Sequence, residues 1–173
     1  MGIFVLMVKA ELEGIAKFSL SENSRFLVDL HSQGEEKKGV FICPYEEIEV
    51  EGGRGTAQFV MGKPFKCNIS IIALKDYTRT EYTAGDSGEF VPMAAFECRG
   101  CDITNISLPD PFDFESTGGY GWEKQAIDDG EWCEYDEEND LSVMLTNLEC
   151  MVETHSGKGD AKGKKGKKQK GGR

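Results

Sequence analysis

Alternation governs the first third of the chain. Phe4, Leu6, Val8, Ala10 and Leu12 occupy every second position, with Lys9 and Glu11 between them. A period of two predicts an extended strand with one face turned to a core. Glu13-Gly14 ends it. Residues 21–24 read as a polar turn, and residues 25–30 as a second strand with Phe26, Val28 and Leu30 inward. Residues 31–39 read as a charged loop. Residues 40–43 are apolar and stop at Pro44, which cannot donate to a ladder. Residues 46–51 alternate again, which places Ile48 and Val50 toward the core.

Three glycines then fall within four residues, in Glu51-Gly52-Gly53-Arg54-Gly55-Thr56-Ala57-Gln58-Phe59. Glycine permits tight backbone, so this is a turn or bulge between two strands. Strands over 57–61 and 66–74 follow. Residues 76–88 are polar and read as a connection. Further strands are predicted over 91–98 and 102–108, with irregular chain over 109–121, where prolines and glycines cluster. Residues 142–153 close the pattern. Their apolar positions shift from odd (Val143, Leu145) to even (Leu148, Val152), which predicts a bulge. No segment holds a helical period. The fold class is therefore mainly β, an antiparallel sandwich or open barrel.

A faint repeat suggests two similar, pseudo-symmetric halves. Lys9-Ala10-Glu11-Leu12-Glu13-Gly14 resembles Ala95-Phe96-Glu97-Cys98-Arg99-Gly100, and Gly52-Gly53-Arg54-Gly55 resembles Gly118-Gly119-Tyr120-Gly121. The expected division is a first half over 1–75, a connection over 76–89, a second half over 90–155 and a basic tail over 156–173.

Charge divides the chain more sharply. The 173 residues carry a formal −11. The segment from Ser156 holds seven Lys and one Arg against one Asp, a net of +7, so the preceding residues carry −18. Such a body repels nucleic acid and anionic membranes. The Gly/Lys segment 157–173 reads as disordered. It suits non-specific binding to RNA or an anionic surface, nuclear import through Lys164-Lys165-Gly166-Lys167-Lys168, or solubility alone. No apolar run spans a bilayer and no leader stands out, which points to the cytoplasm, with the nucleus as the alternative. The six cysteines then read as reduced, mostly buried thiols.

Candidate chemistry is sparse. Cys98-Arg99-Gly100-Cys101 is a single C-x-x-C, whereas a closed zinc site needs four ligands. Histidine occurs only at 31 and 155, neither in a position that holds it firmly for a nucleophile, and no phosphate-cradling loop is present, so an enzyme is not expected. Arg54 and Arg99 are isolated cations, with Glu97, Asp136 and Glu137 as candidate partners. Two readings stand: a clamp between the halves, or a binding groove formed by Arg54, Glu97, Arg99, Trp132, Tyr135 and Asp136.

Gly52-Gly53-Arg54-Gly55-Thr56-Ala57, then Phe96-Glu97-Cys98-Arg99-Gly100, then Trp132-x-x-Tyr135-Asp136-Glu137, with the Lys9-Ala10 strand before them, resemble the eukaryotic CXXC-motif zinc-binding protein family. The resemblance covers about Gly2 to Glu153. It implies a β-rich fold of two similar halves and one zinc held by two C-x-x-C pairs in the first half. In this chain His31-Ser32-Gln33-Gly34 and Lys63-Pro64-Phe65-Lys66 stand where those pairs are expected. Lysine ammonium has no lone pair to give a cation. The sequence therefore points to a non-enzymatic protein-interaction or scaffold module with no zinc and an unidentified protein partner. Alternatives are a non-standard zinc site from His31, Cys43 and Cys67, and weak RNA binding through the tail. Phe41, Phe59, Phe65, Ile69, Ile71 and Ile72 are expected to knit the hairpins in place of the metal.

Overall fold

The computed structural model describes residues 1–108 and 111–156. The tail over 157–173, and everything expected of it, lies outside the described residues. Fifteen antiparallel strands and one 3-10 turn (Ala84–Asp86) make up the fold. The centre is the pair β1 (Gly2–Glu13) and β10 (Val91–Arg99), with Phe4 opposite Phe96. Outward from β1 lie β15 (Leu141–His155) and β14 (Trp132–Asp136). Outward from β10 lie β8 (Cys67–Ile72) and β7 (Phe59–Met61). This six-stranded sheet curls into a half-barrel.

Two smaller sheets cover it. One joins β11 (Asp102–Ser107), β3 (Phe26–Ser32) and β4 (Glu35–Ile42). The other joins β13 (Gly121–Gln125), β12 (Phe112–Ser116), β2 (Ile15–Leu20) and β9 (Tyr82–Thr83). β5 (Ile48–Glu49) and β6 (Thr56–Ala57) form a separate two-residue ladder around the glycine turn.

The strand orders repeat. β1, β2, β3, β4, β7 and β8 correspond in chain order to β10, β11, β12, β13, β14 and β15. The second strand of each series pairs with the other series: β2 with β12, and β11 with β3. The halves are thus interlocked by exchanged strands, and neither closes its small sheet alone. The Gly52–Gly55 and Gly118–Gly121 turns are not equivalent, because the first joins β5 to β6 and the second joins β12 to β13.

Several local expectations change. Residues 35–39 are strand rather than loop, exposed on both faces as far as Val40, which is why their charges hid the pattern. Ile48 is exposed, so the alternation over 46–51 marks an edge hairpin and not a core strand. Residues 112–116 are a regular strand with Phe112 and Phe114 buried. The expected bulge is present in β15: Lys9 faces Glu149 but Glu11 faces Thr146, and Asn147 takes φ +54°. Most of the apolar residues expected to knit the first half do so, with Ile69 fully buried and Phe65 nearly so, but Phe41 is 42% exposed beneath the Arg25 guanidinium.

The 76–89 connection is structured by one side chain. Tyr82 is fully buried. Its hydroxyl accepts the Ala10 N–H at 3.1 Å and lies within 3.0 Å of the Ala10, Asp86 and Glu89 carbonyls, one of which takes its proton. Asp86 in turn accepts both Arg79 guanidinium nitrogens, at 3.0 and 2.7 Å, and the Thr83 N–H at 2.9 Å. Burial works against its charge, but these bonds hold the carboxyl below the ordinary carboxylate range. Replacing Tyr82 by Phe strips the Ala10 N–H of its partner. The expected loss is about 1–3 kcal/mol, measured by urea unfolding with an unchanged slope.

Candidate functional site: two hairpin clips

Each central strand ends at a glycine on which two hairpin turns converge. Gly14 and Gly100 both have positive φ, and a Cβ would lie 2.5 Å from the backbone oxygen of Ser142 or Lys66, respectively. No other residue allows that approach. Register then fixes the equivalence of everything around them. β15 sets Leu145 opposite Leu12, and β8 sets Ile69 opposite Cys98. β14 sets Trp132 opposite Leu145, and β7 sets Phe59 opposite Ile69. Trp132 and Phe59 are therefore equivalent, and the residues four further on are Asp136 and Lys63. Counted along the first strand alone, Asn139 falls at Lys66, but the second-half hairpin is longer, spanning 13 positions from Trp132 to Leu145 against 10 from Phe59 to Ile69. The β12–β13 turn, Ser116-x-x-Gly119, matches the β3–β4 turn at His31-x-x-Gly34, to within the one-residue slack of the bulge in β11.

In the second half these positions form a hydrogen-bonded clip. Asp136 is fully buried, and its Oδ2 accepts Ser116 Oγ–H at 2.6 Å and Asn139 Nδ2–H at 2.7 Å. Its Oδ1 accepts the Asn139 N–H at 3.1 Å. Ser116 Oγ accepts the N–H groups of Gly118 and Tyr120, and Thr117 N–H donates to the Gly14 carbonyl at 2.9 Å. Burial penalises the Asp136 charge most, yet the bonds from Ser116 and Asn139 outweigh it and keep the carboxyl below its ordinary range. One ionised side chain thus ties two hairpin turns together, and the Thr117 N–H joins them to Gly14.

In the first half the same segments meet with different chemistry. Ser32 Oγ–H donates to the Gly100 carbonyl at 2.6 Å, and Lys66 N–H to the Gly62 carbonyl at 3.1 Å. Phe65 tucks under the β7–β8 turn, nearly buried. Lys63 and Lys66 point away from any clip, and with Glu51 and Arg99 they line a cleft of about 690 Å³. Behind them lie the buried thiols Cys67, Cys98 and Cys101. The hydrogen bond to Cys101, with burial, pushes the Cys67 thiol far above its ordinary range. The Cys67 contact acts to lower Cys101, but the Cys98 contact and burial outweigh it and push Cys101 up to about 12. Burial and these contacts favour the protonated thiol at both positions.

The residues singled out in the sequence do not assemble as one groove. Arg54 projects from the exposed β5–β6 turn and makes no ion pair among the described residues. Arg99 pairs with Glu97 two residues away on its own strand, at 3.1 Å and 63% exposed, so no arginine clamps the halves. Trp132 is buried, stacked on Phe114 at 3.8 Å and edge-on to Trp122. Tyr135, on the same strand, is half-exposed. Asp136 is the one that matters, as a clip. The signal for it was Asp136-x-x-Asn139 directly before an apolar strand, masked by surrounding acids.

The non-standard metal set is not built either. Phe26 faces Ile42 and His31 faces Glu36, so His31 and Cys43 sit at opposite ends of the β3–β4 hairpin, about 17 Å apart at the usual strand rise. Among the described residues no group of three His, Cys, Asp or Glu side chains is arranged to hold a metal ion. The donors at the turn positions do not fit a zinc ion.

The clip has a pH signature. A carboxyl held below its unfolded value adds stability above about pH 4 that is lost as pH falls through the folded value. Asp136→Asn is expected to be less stable than the parent at neutral pH, with the difference narrowing below pH 4. Urea unfolding across that range measures it.

The family described as CXXC motif containing zinc binding protein, eukaryotic, matches residues 5–153. A UPF0587 protein of Nematostella vectensis is 30% identical over 147 residues, covering 80% of this chain and 89% of the relative. The human CXXC motif containing zinc binding protein is 27% identical over 150 residues, covering 84% and 94%. The solved structure of a hypothetical protein from Plasmodium falciparum superposes with a TM-score of 0.81 at 25% identity, covering 88% of this chain and all of that one.

Proposed function

The chain belongs to the eukaryotic family of CXXC-motif zinc-binding proteins, and from that membership we propose that it is a non-enzymatic protein-interaction module that stands without the zinc of the family's name. The observation that carries this is Lys63 and Lys66 at the first-half turn. Two ammonium groups repel a dication and offer it no lone pair. A structural zinc contributes on the order of 10 kcal/mol to folding in small modules. Here burial of Phe65 and Ile69, and the Ser32–Gly100 hydrogen bond, take over the closing of that turn.

Three of the reactive groups are engaged in the fold. Cys67 and Cys101 are held as thiols, and His155 packs against Tyr77 at 4.5 Å. An interaction surface is available at the end of β4. Phe41, Tyr45 and Ile48 are 42, 56 and 37% exposed within eight residues, and Arg25 lies 4.0 Å above the Phe41 ring. Aromatic side chains with an arginine are the types that carry binding energy at protein interfaces.

Metal analysis of protein made in zinc-supplemented medium tests the reading. The expected result is substoichiometric zinc and a melting temperature unmoved by a chelator. One zinc per chain, with chelator-sensitive folding, overturns it.

A further inference from the structure

The concave side of the half-barrel holds a second cavity, of about 530 Å³, unconnected in its chemistry with the turn clips. Its walls are Leu6 and Val8 of β1, Phe18 of β2, Ile71 of β8, Ala94 of β10 and Phe112 of β12. It lies on the seam where strand exchange brings both halves together, so neither half builds it alone. Small-molecule sites run about 300–1,000 Å³ and are mostly apolar with a few convergent polar groups.

The polar groups gather at one end. Ser19, Thr78, Arg79 and Thr80 are the hydrophilic lining residues. Lys17 faces Thr83 and Phe18 faces Tyr82 across β2 and β9, so continuing that register brings Ser19 and Leu20 toward residues 81 and 80. The charge there is already spent. Arg79 gives both terminal nitrogens to Asp86, and Asp86 also holds Thr83. Thr78 Oγ–H donates to the Leu74 carbonyl. What is left is neutral: the hydroxyl of Thr80 at the exposed rim, which has no partner among the described residues, while Ser19 shares the outer face of β2 with Lys17. No buried side-chain polar atom among the described residues lacks a partner, so the walls ask nothing polar of an occupant.

We propose that this cavity binds an uncharged lipid-like small molecule, an apolar chain or ring system with a single neutral hydroxyl or ester head at the exposed Thr80 rim. A carboxylate head gains nothing there, because Asp86 already holds the Arg79 guanidinium. The chain's own 157–173 segment is a poor filler, since Ala161 is its one apolar side chain.

The test uses the full chain and the neutral fluorophore N-phenyl-1-naphthylamine, displaced by 1-tetradecanol or by tetradecanoate. The expected result is saturable binding at one probe per chain, with the alcohol displacing at least as tightly as the acid. Ala94→Trp, in the wall, and Ala73→Trp, at the exposed rim, should each abolish binding. Should Ala94→Trp fail to fold, Ala73→Trp with an unchanged melting temperature decides. Absence of saturable binding, binding that survives the rim substitution, or an acid tighter than the alcohol overturns the proposal. So does binding that appears only after residues 157–173 are removed, because the cavity would then belong to the tail.

Discussion

Everything in this fold depends on holding two hairpin turns against the glycine that ends each central strand. β1 and β10 can lie at the centre of the half-barrel only if the chain turns sharply at Gly14 and Gly100 and leaves for the opposite small sheet. That departure exposes backbone groups which the converging turns must satisfy. In the second half the Thr117 N–H meets the Gly14 carbonyl, and the buried Asp136 carboxylate holds the turn that carries it. In the first half the Ser32 hydroxyl meets the Gly100 carbonyl, and Phe65 packs the neighbouring turn. Equivalent places thus carry opposite charges, Asp136 in one half and Lys63 in the other.

This contrast explains how a member of a zinc-binding family can keep the fold with lysines at the turn. A clip needs groups that tie three segments together, and a metal is one way to supply them. Asp136 shows within the same molecule that hydrogen bonds to an ionised side chain are another. Interlocked strands lower the demand further. With β2 paired to β12 and β11 to β3, opening either clip leaves each half still tied to the other.

The local periods were legible in the sequence and the long-range pairings were not. β1 showed itself through Phe4 to Leu12, and the β15 bulge through the shift from Leu145 to Leu148. The β12 strand was hidden by flanking prolines and glycines, and β4 by Glu35 to Lys38, exposed on both faces. Strand exchange leaves no mark on periodicity, because Phe18 and Phe114 meet from 96 residues apart. The repeat ending in Gly14 and Gly100 was visible, but the two glycine-rich turns misled, since they serve non-equivalent connections. Asp136 was noticed as an acid and its burial was not, because in a run of eight acids nothing in the sequence separates the one buried carboxylate from its solvated neighbours.

If the two clips are one design filled with different chemistry, the second can be written into the first. Lys63→Asp with Lys66→Asn writes the Asp-x-x-Asn spacing of positions 136 and 139 into the first-half turn, and Lys66 already has the positive φ, +33°, that Asn tolerates. The urea midpoint of the double variant is the direct measurement. The account predicts a midpoint above the parent's at neutral pH, with the gain disappearing in acid. A midpoint below the parent's, at every pH where the protein folds, contradicts it.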